Sequence, residues 1–176
     1  MSSSKEIKYL KNEIAVLRKI SHPNIVKTYE VHEIEGCIAI VQELLSGDTL
    51  RAYYKENKVS EYDAVQIMHQ LFSALYYIHK LNLIHRDLKP GNIMLREINP
   101  KGNYFCSKYQ LVLIDFGLCA NSQDFSPTSF LHDKSGTIGY LAPEIIEQRS
   151  DKHFCDQKVD VYSAGIVFVE LYLLNL

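Results

Sequence analysis

The apolar positions Ile7, Leu10, Ile14, Leu17 and Ile20 recur at steps of three and four, which is one face of an α-helix. Ser3-x-x-Glu6 stands ahead of it as a capping box, and Pro23 stops it. Two runs, 25–34 and 37–44, read as strands joined by a turn at Glu35-Gly36. Ser46-Gly47-Asp48 reads as a loop. Ser60-x-x-Asp63, a second capping box, opens a long amphipathic helix with Ala64, Ile67, Leu71, Leu75 and Ile78 on its inner face and Asn82 at its end. Two short apolar runs, 92–95 and 111–114, flank a polar segment, 96–110, that contains the loop signal Asn99-Pro100-Lys101-Gly102-Asn103. Residues 117–139 have no period and read as a long surface loop. A last helix is predicted to begin near Asp160. The most apolar stretch, 164–176, is too short to span a bilayer and carries Glu170, so it reads as a buried core helix.

Composition narrows the partners rather than the fold. Hydrophobic residues make up 47% and charged residues 23% of 176 residues, an ordinary globular balance. A net charge of −2 gives no support for nucleic acid or an anionic membrane as a partner. Cys37, Cys106, Cys119 and Cys155 form no CxxC pair and have no metal-type spacing with histidine, so they are expected to be free thiols of a reducing cytosol. Residues 1–6 lack the apolar stretch of a signal peptide, and Ser2 stands where N-myristoylation requires glycine. A cytoplasmic location is expected, with a nuclear one left open.

Three motifs follow one another in order: His85-Arg86-Asp87-Leu88-Lys89-Pro90-Gly91-Asn92, then Asp115-Phe116-Gly117, then Ala142-Pro143-Glu144. Any tripeptide alone is weak, but each further fixed position lowers chance agreement by about twentyfold. With these motifs the sequence resembles the eukaryotic protein kinases, from the regulatory helix of the small lobe to the central helix of the large lobe. The resemblance implies an α+β, protein-kinase-like fold. Residues 1–45 would be a partial small lobe, one helix and two strands, with the hinge. Residues 46–176 would be the mainly helical but incomplete large lobe.

The implied function is transfer of the γ-phosphate of Mg-ATP to Ser or Thr hydroxyls of a protein substrate. That reaction asks the protein for positioning and charge neutralisation more than for covalent chemistry. By the resemblance, Asp87 orients the substrate hydroxyl and accepts its proton, Asn92 and Asp115 hold Mg2+, and Lys89 sits beside the transferred phosphate. Thr137 ties the activation segment to Asp87 and Lys89. Glu13, nine residues before His22-Pro23-Asn24, stands where the family pairs a glutamate with the ATP-binding lysine. Glu43-Leu44-Leu45 is the hinge, with Glu43 and Leu45 offering groups to the adenine edge and Gln42 as gatekeeper before it. Leu50 and Met94 would sandwich the adenine ring or be plain core residues, two readings that do not exclude each other. His85, Leu17, Phe116 and Asp160 match the positions that align the two lobes, His85 as a packing residue.

Arg86 before Asp87 implies control by a phosphate in the activation segment, supplied by an upstream activating kinase, with Asp133 as a partial stand-in. Lys89 with Thr137 points to the Ser/Thr type. The run Gly136-Thr137-Ile138-Gly139-Tyr140-Leu141-Ala142-Pro143-Glu144 and the segment 96–110 look like the calcium/calmodulin-dependent branch. Calcium or calmodulin control is not readable from these residues. No Gly-rich loop and no strand lysine stand before Glu13, and the chain stops inside the helix near Asp160. The expectation is therefore a truncated form, poorly soluble and of little activity alone, exposing Ile166, Phe168, Leu171, Leu173 and Leu174. The competing expectation is a kinase-like, non-catalytic interaction module.

Overall fold

The structure, a computed structural model, describes residues 14, 17–18, 20–34, 37–98, 108–122, 136–147 and 156–173. Among these, in chain order, stand strands β1 (Thr28–Ile34), β2 (Cys37–Gln42) and β3 (Asp48–Thr49), helices α1 (Leu50–Glu56) and α2 (Glu61–Lys80), and strand β4 (Leu83–Ile84). A 3-10 turn at Pro90–Asn92 leads into β5 (Ile93–Glu97), β6 (Tyr109–Leu113) and β7 (Ala120–Asn121), followed by helices α3 (Pro143–Glu147) and α4 (Lys158–Leu173). The mixed helix-and-sheet architecture is that of a partial protein-kinase domain, as expected. Glu13, Asp133, both turn residues Glu35 and Gly36, the first capping box, the 99–103 loop signal and Leu174 lie outside the described residues.

α2 forms where the second capping box predicts it. Ser60 Oγ accepts from Asp63 N at 3.1 Å and donates to Asp63 Oδ2 at 2.6 Å. Glu61 and Asp63 in the first turn and His79 and Lys80 in the last complement the helix dipole. Ala64, Ile67, Leu71, Leu75 and Ile78 are all buried, as read, joined by Met68 and Ala74. The helix ends as Asn82 takes a left-handed φ of 58°, a conformation asparagine tolerates.

β1 and β2 pair antiparallel, and so do β5 and β6, which carry β3 on the outer side of β5. The inner face of the β5–β6 hairpin, with Ile93, Leu95, Leu111 and Leu113, packs on α2. Gln70 of α2 reinforces that contact. Its Oε1 accepts from Leu111 N and from Asn24 Nδ2, each at 2.9 Å, and its Nε2 donates to Tyr109 O at 2.9 Å. The strand after Pro23 is docked on the hairpin edge by two main-chain bonds, Val26 N to Leu113 O and Leu113 N to Asn24 O.

Four expectations need correction. Asp48 is not loop but pairs with Leu95 in β3, because Gly47 lets the backbone turn onto β5. Arg96, Glu97, Tyr109 and Gln110 belong to strands, so the irregular part of 96–110 is shorter than the polar run suggests. α4 starts at Lys158, two residues earlier than read, where Lys158 N donates to Asp156 Oδ1 at 2.7 Å. Leu171 is fully buried in the core rather than exposed, since α4 turns Ala164, Val167 and Leu171 toward α2. Phe168 and Leu173 are exposed as expected.

Gly47 has φ +117°, and a Cβ there would stand 2.2 Å from Leu95 O. Both the left-handed backbone and the close approach demand glycine. Gly47→Ala should lower stability by roughly 1–3 kcal/mol, read as a fall in the urea midpoint at unchanged slope.

Candidate functional site

The site is assembled at the end of the β5–β6 hairpin. The segment between β4 and β5 carries Asp87, Lys89 and Asn92, and the residue after Ile114 is Asp115. Ile114 N donates to Asn92 O at 2.9 Å, which brings the two ends side by side.

Asp87 is 7% exposed and is the acceptor around which the site is tied. Its Oδ2 accepts from Lys89 Nζ at 2.7 Å and from Asn92 Nδ2 at 3.0 Å. Its Oδ1 accepts from Thr137 Oγ1 at 2.6 Å. Thr137 Oγ1 in turn accepts from Lys89 Nζ at 2.8 Å. Asn92 Nδ2 also donates to Asp87 O at 2.9 Å. One carboxylate, one ammonium and one hydroxyl thus form a closed ring, and the Asn92 amide braces its carboxylate corner. Charge-assisted bonds of this length are the strong class, and the buried setting reduces screening. Thr137 reaches Asp87 because Gly136 lies against the catalytic segment: at φ +126°, a Cβ there would stand 2.7 Å from Arg86 O.

A second carboxylate holds the loop from behind. Asp160 of α4, fully buried, accepts from His85 N on Oδ2 and from Arg86 N on Oδ1, both at 2.9 Å. His79 Nε2 lies 2.9 Å from the same Oδ2. These bonds hold Arg86 at φ 68°, a left-handed backbone that costs a non-glycine residue roughly 1–2 kcal/mol. Asp115 is left-handed too, at φ 64°, with Oδ1 accepting from Gly117 N at 3.2 Å. Arg86 Nε donates to Leu118 O at 2.6 Å, so the guanidinium is tied to the segment after Asp115.

His85 is fully buried, and burial lowers its imidazole below the usual value. Its Nδ1 accepts from Asp87 N at 3.3 Å, and its ring meets Phe116 edge-on at 5.0 Å. It is neutral and packs, the role expected for it. Phe116 and Leu17 are buried in the same core. Buried Cys119 nearby has its thiol pushed up to about 12, first by desolvation, and is no nucleophile.

The nucleotide-side residues are placed less uniformly. Asn92 and Asp115 bring hard oxygen donors, the ligand type Mg2+ takes, and Asp115 is exposed. Asn92 already spends its amide N–H groups on Asp87, which leaves its carbonyl oxygen as the coordinating atom. The two residues therefore fit the ion. Glu43 accepts from Lys27 N on Oε1 at 2.8 Å and donates its own N–H to Lys27 O at 2.9 Å. Its side chain is thus engaged within the fold, 3.8 Å from Arg96 Nη1. Leu44 is 96% exposed, and Leu45 is half-buried. Gln42 donates to Thr28 Oγ1 at 3.3 Å. Met94 is half-buried, whereas Leu50 is fully buried. Leu50 packs in the hydrophobic core, which fits its reading as a core residue.

Sequence reasoning missed several supporting groups. Gln70 was read only as part of a helix, and Glu170 only as a charge in an apolar run. Glu170 accepts from Tyr140 Oη at 2.8 and 3.0 Å and from Tyr54 Oη at 3.1 Å, joining α4, α1 and the segment that carries Thr137. Ser163 Oγ donates to Tyr140 O at 2.7 Å and anchors the same segment. A charged residue inside an apolar helix was the available signal. Among the described residues no helix is long and apolar enough to cross a membrane, and no group of three or more His, Cys, Asp and Glu is placed to hold a metal.

Comparison with known proteins gives the family. The model of the protein kinase domain family matches residues 1–175. The chain is 34% identical over 165 residues to CBL-interacting protein kinase 19 of Oryza sativa subsp. japonica, covering 94% of this chain and 30% of that protein. It is 39% identical over 165 residues to calcium-dependent protein kinase 5 of Plasmodium falciparum (isolate 3D7), covering 92% and 26%. It is 34% identical over 166 residues to CBL-interacting serine/threonine-protein kinase 14 of Arabidopsis thaliana, covering 94% and 34%. The chain spans about a third or less of the length of these relatives.

Proposed function

This chain belongs to the protein kinase family, and on that premise we propose that it transfers the γ-phosphate of ATP to serine or threonine hydroxyls of a protein substrate. The observation that carries the reading is the closed ring of Asp87, Lys89 and Thr137, braced by Asn92 on Asp87. A structural core has no need of a carboxylate, an ammonium and a hydroxyl meeting at a partly exposed edge.

Asp87 accepts the proton of the attacking hydroxyl as the oxygen bonds to the γ-phosphorus and the bond to ADP breaks. Lys89, whose side chain is 27% exposed, faces the phosphate with a compact positive charge. Asn92 and Asp115 would hold Mg2+, which would supply charge neutralisation on the phosphates. The half-buried Met94 and Leu45 and the main chain from 43 to 45 receive the adenine. The Ser/Thr preference rests on Lys89 and Thr137 and on the printed names of the relatives. Those names, two CBL-interacting and one calcium-dependent, also favour a calcium-linked setting, and Arg86 favours an upstream kinase as partner.

The test is incubation of the full-length protein with Mg2+, γ-labelled ATP and a mixed protein substrate, followed by phosphoamino-acid analysis. Label on phosphoserine and phosphothreonine, lost on chelation of Mg2+, is expected. A folded protein that binds no nucleotide and transfers no label would overturn the reading and favour an interaction module.

A further inference from the structure

Residues 43–47 link two sheets. They leave β2 after Gln42 and reach β3 at Asp48, which pairs with Leu95 of β5. Between the ends, Leu44 is 96% exposed, Ser46 is exposed and Leu45 is half-buried. These three residues form no main-chain hydrogen bond among the described residues. A link with so few bonds of its own keeps its shape only as far as its ends are held.

Arg96 touches both ends. At the far end Gly47 packs over the β5 main chain, where an added Cβ would lie 3.5 Å from Arg96 Cα. The Arg96 side chain then reaches the near end, with Nη1 3.8 Å from Glu43 Oε2, an ion-pair distance. Its cross-strand neighbour Gln110 orients the guanidinium: Gln110 Oε1 accepts from Nη2 at 2.6 Å and from Nε at 3.2 Å. Gln110 Nε2 donates in turn to Pro23 O at 2.8 Å. On the other side, Glu43 Oε1 accepts from Lys27 N at 2.8 Å, and Glu43 N donates to Lys27 O at 2.9 Å. The polar path runs from Glu43 through Arg96 and Gln110 to Pro23, and returns to Glu43 from Lys27 of the same segment. The two charged side chains are 32% and 20% exposed, so salt screens their attraction only in part.

We propose that Arg96 is a positioning residue for nucleotide binding, which ties both ends of the 43–47 link to the β5–β6 hairpin and so fixes the main chain that meets the adenine. This rests on the proposed function, in which that main chain receives the ring. A segment already held in its bound shape has less freedom to lose when the ligand arrives, and the difference appears as affinity. Arg96 is no part of the ring formed by Asp87, Lys89 and Thr137, so its effect falls on binding and not on the chemical step.

Arg96→Ala in the full-length protein tests this. By calorimetry the dissociation constant for Mg-ATP should rise about threefold to fivefold, the effect that a partly exposed ion pair supports. KM for ATP should rise with it, while kcat at saturating ATP stays the same. Glu43→Gln removes the charge but keeps an oxygen for Lys27 N, and should weaken binding by the same factor. The double variant should bind no more weakly than either single variant, because both break one contact. In the nucleotide-free protein, Arg96→Ala should also speed amide exchange at Lys27 and Glu43. Losses that multiply in the double variant overturn the proposal, since the two residues would then act separately. Unchanged affinity in Arg96→Ala overturns it while leaving the proposed function standing, provided that the wild type binds ATP. Tighter binding overturns it as well, because the contact would then restrain the link against the nucleotide. A wild-type protein that binds no nucleotide removes the proposed function and this inference together.

Discussion

Asp87→Asn is expected to lower kcat for phosphate transfer by about a thousandfold, within the range that a positioned general base supplies. The amide keeps the shape of the carboxylate but cannot take the substrate proton. Its oxygen can still accept from Lys89 Nζ and Asn92 Nδ2, and its NH2 can donate to Thr137 Oγ1, so the ring of bonds around it keeps its outline. Stability should therefore change little, with the melting temperature within a few degrees of wild type. Affinity for Mg-ATP should be largely retained, since Asp115 and Asn92 remain. Steady-state kinetics with a parallel nucleotide titration separates these effects. Activity within tenfold of wild type would remove Asp87 from the role of base.

Asp160→Asn is expected to have the opposite profile, with a large effect on folding. Both carboxylate oxygens accept a main-chain N–H, Oδ2 from His85 and Oδ1 from Arg86. An amide presents one oxygen and one NH2, so one buried N–H must face another donor. Leaving such a group unsatisfied costs roughly 1–3 kcal/mol, with repulsion added. With the amide oxygen at the Oδ2 place, His79 Nε2, 2.9 Å away, keeps its partner but loses the carboxylate charge that strengthens the bond. A total of about 3 kcal/mol or more should lower the melting temperature by roughly 10 °C in a domain of this size. Because the same bonds hold Arg86 in its left-handed backbone, kcat should fall as well even below the melting temperature. Thermal melts and initial rates at low temperature check both parts. An unchanged melt would mean that α4 does not hold the catalytic segment.

The two substitutions separate what can be read along the chain from what cannot. Asp87, Lys89, Asn92 and Asp115 were legible because the chemistry demands those residue types close together in sequence, and their order is itself the signal. α2 was legible because a capping box and a 3.6-residue period repeat over 20 residues. β3, β4 and β7 were not, because two residues carry no period and exist only by pairing with Leu95 and Met94 or with each other.

The sequence by itself determined the chemical groups of the site, their order, the long helix and the family. The resemblance implied that Thr137 meets Asp87, which it does across 50 residues, but the tertiary structure alone decided which atoms meet and that Asp160 takes the main chain of His85 and Arg86 across 75 and 74. It also decided that Leu50 is fully buried in the core and that Glu170 gathers two tyrosines. The reason is that such partnerships depend on which polar groups share one buried volume, where each must find a donor or acceptor. Sequence separation carries no record of that volume until the hairpin, α2 and α4 have closed around it.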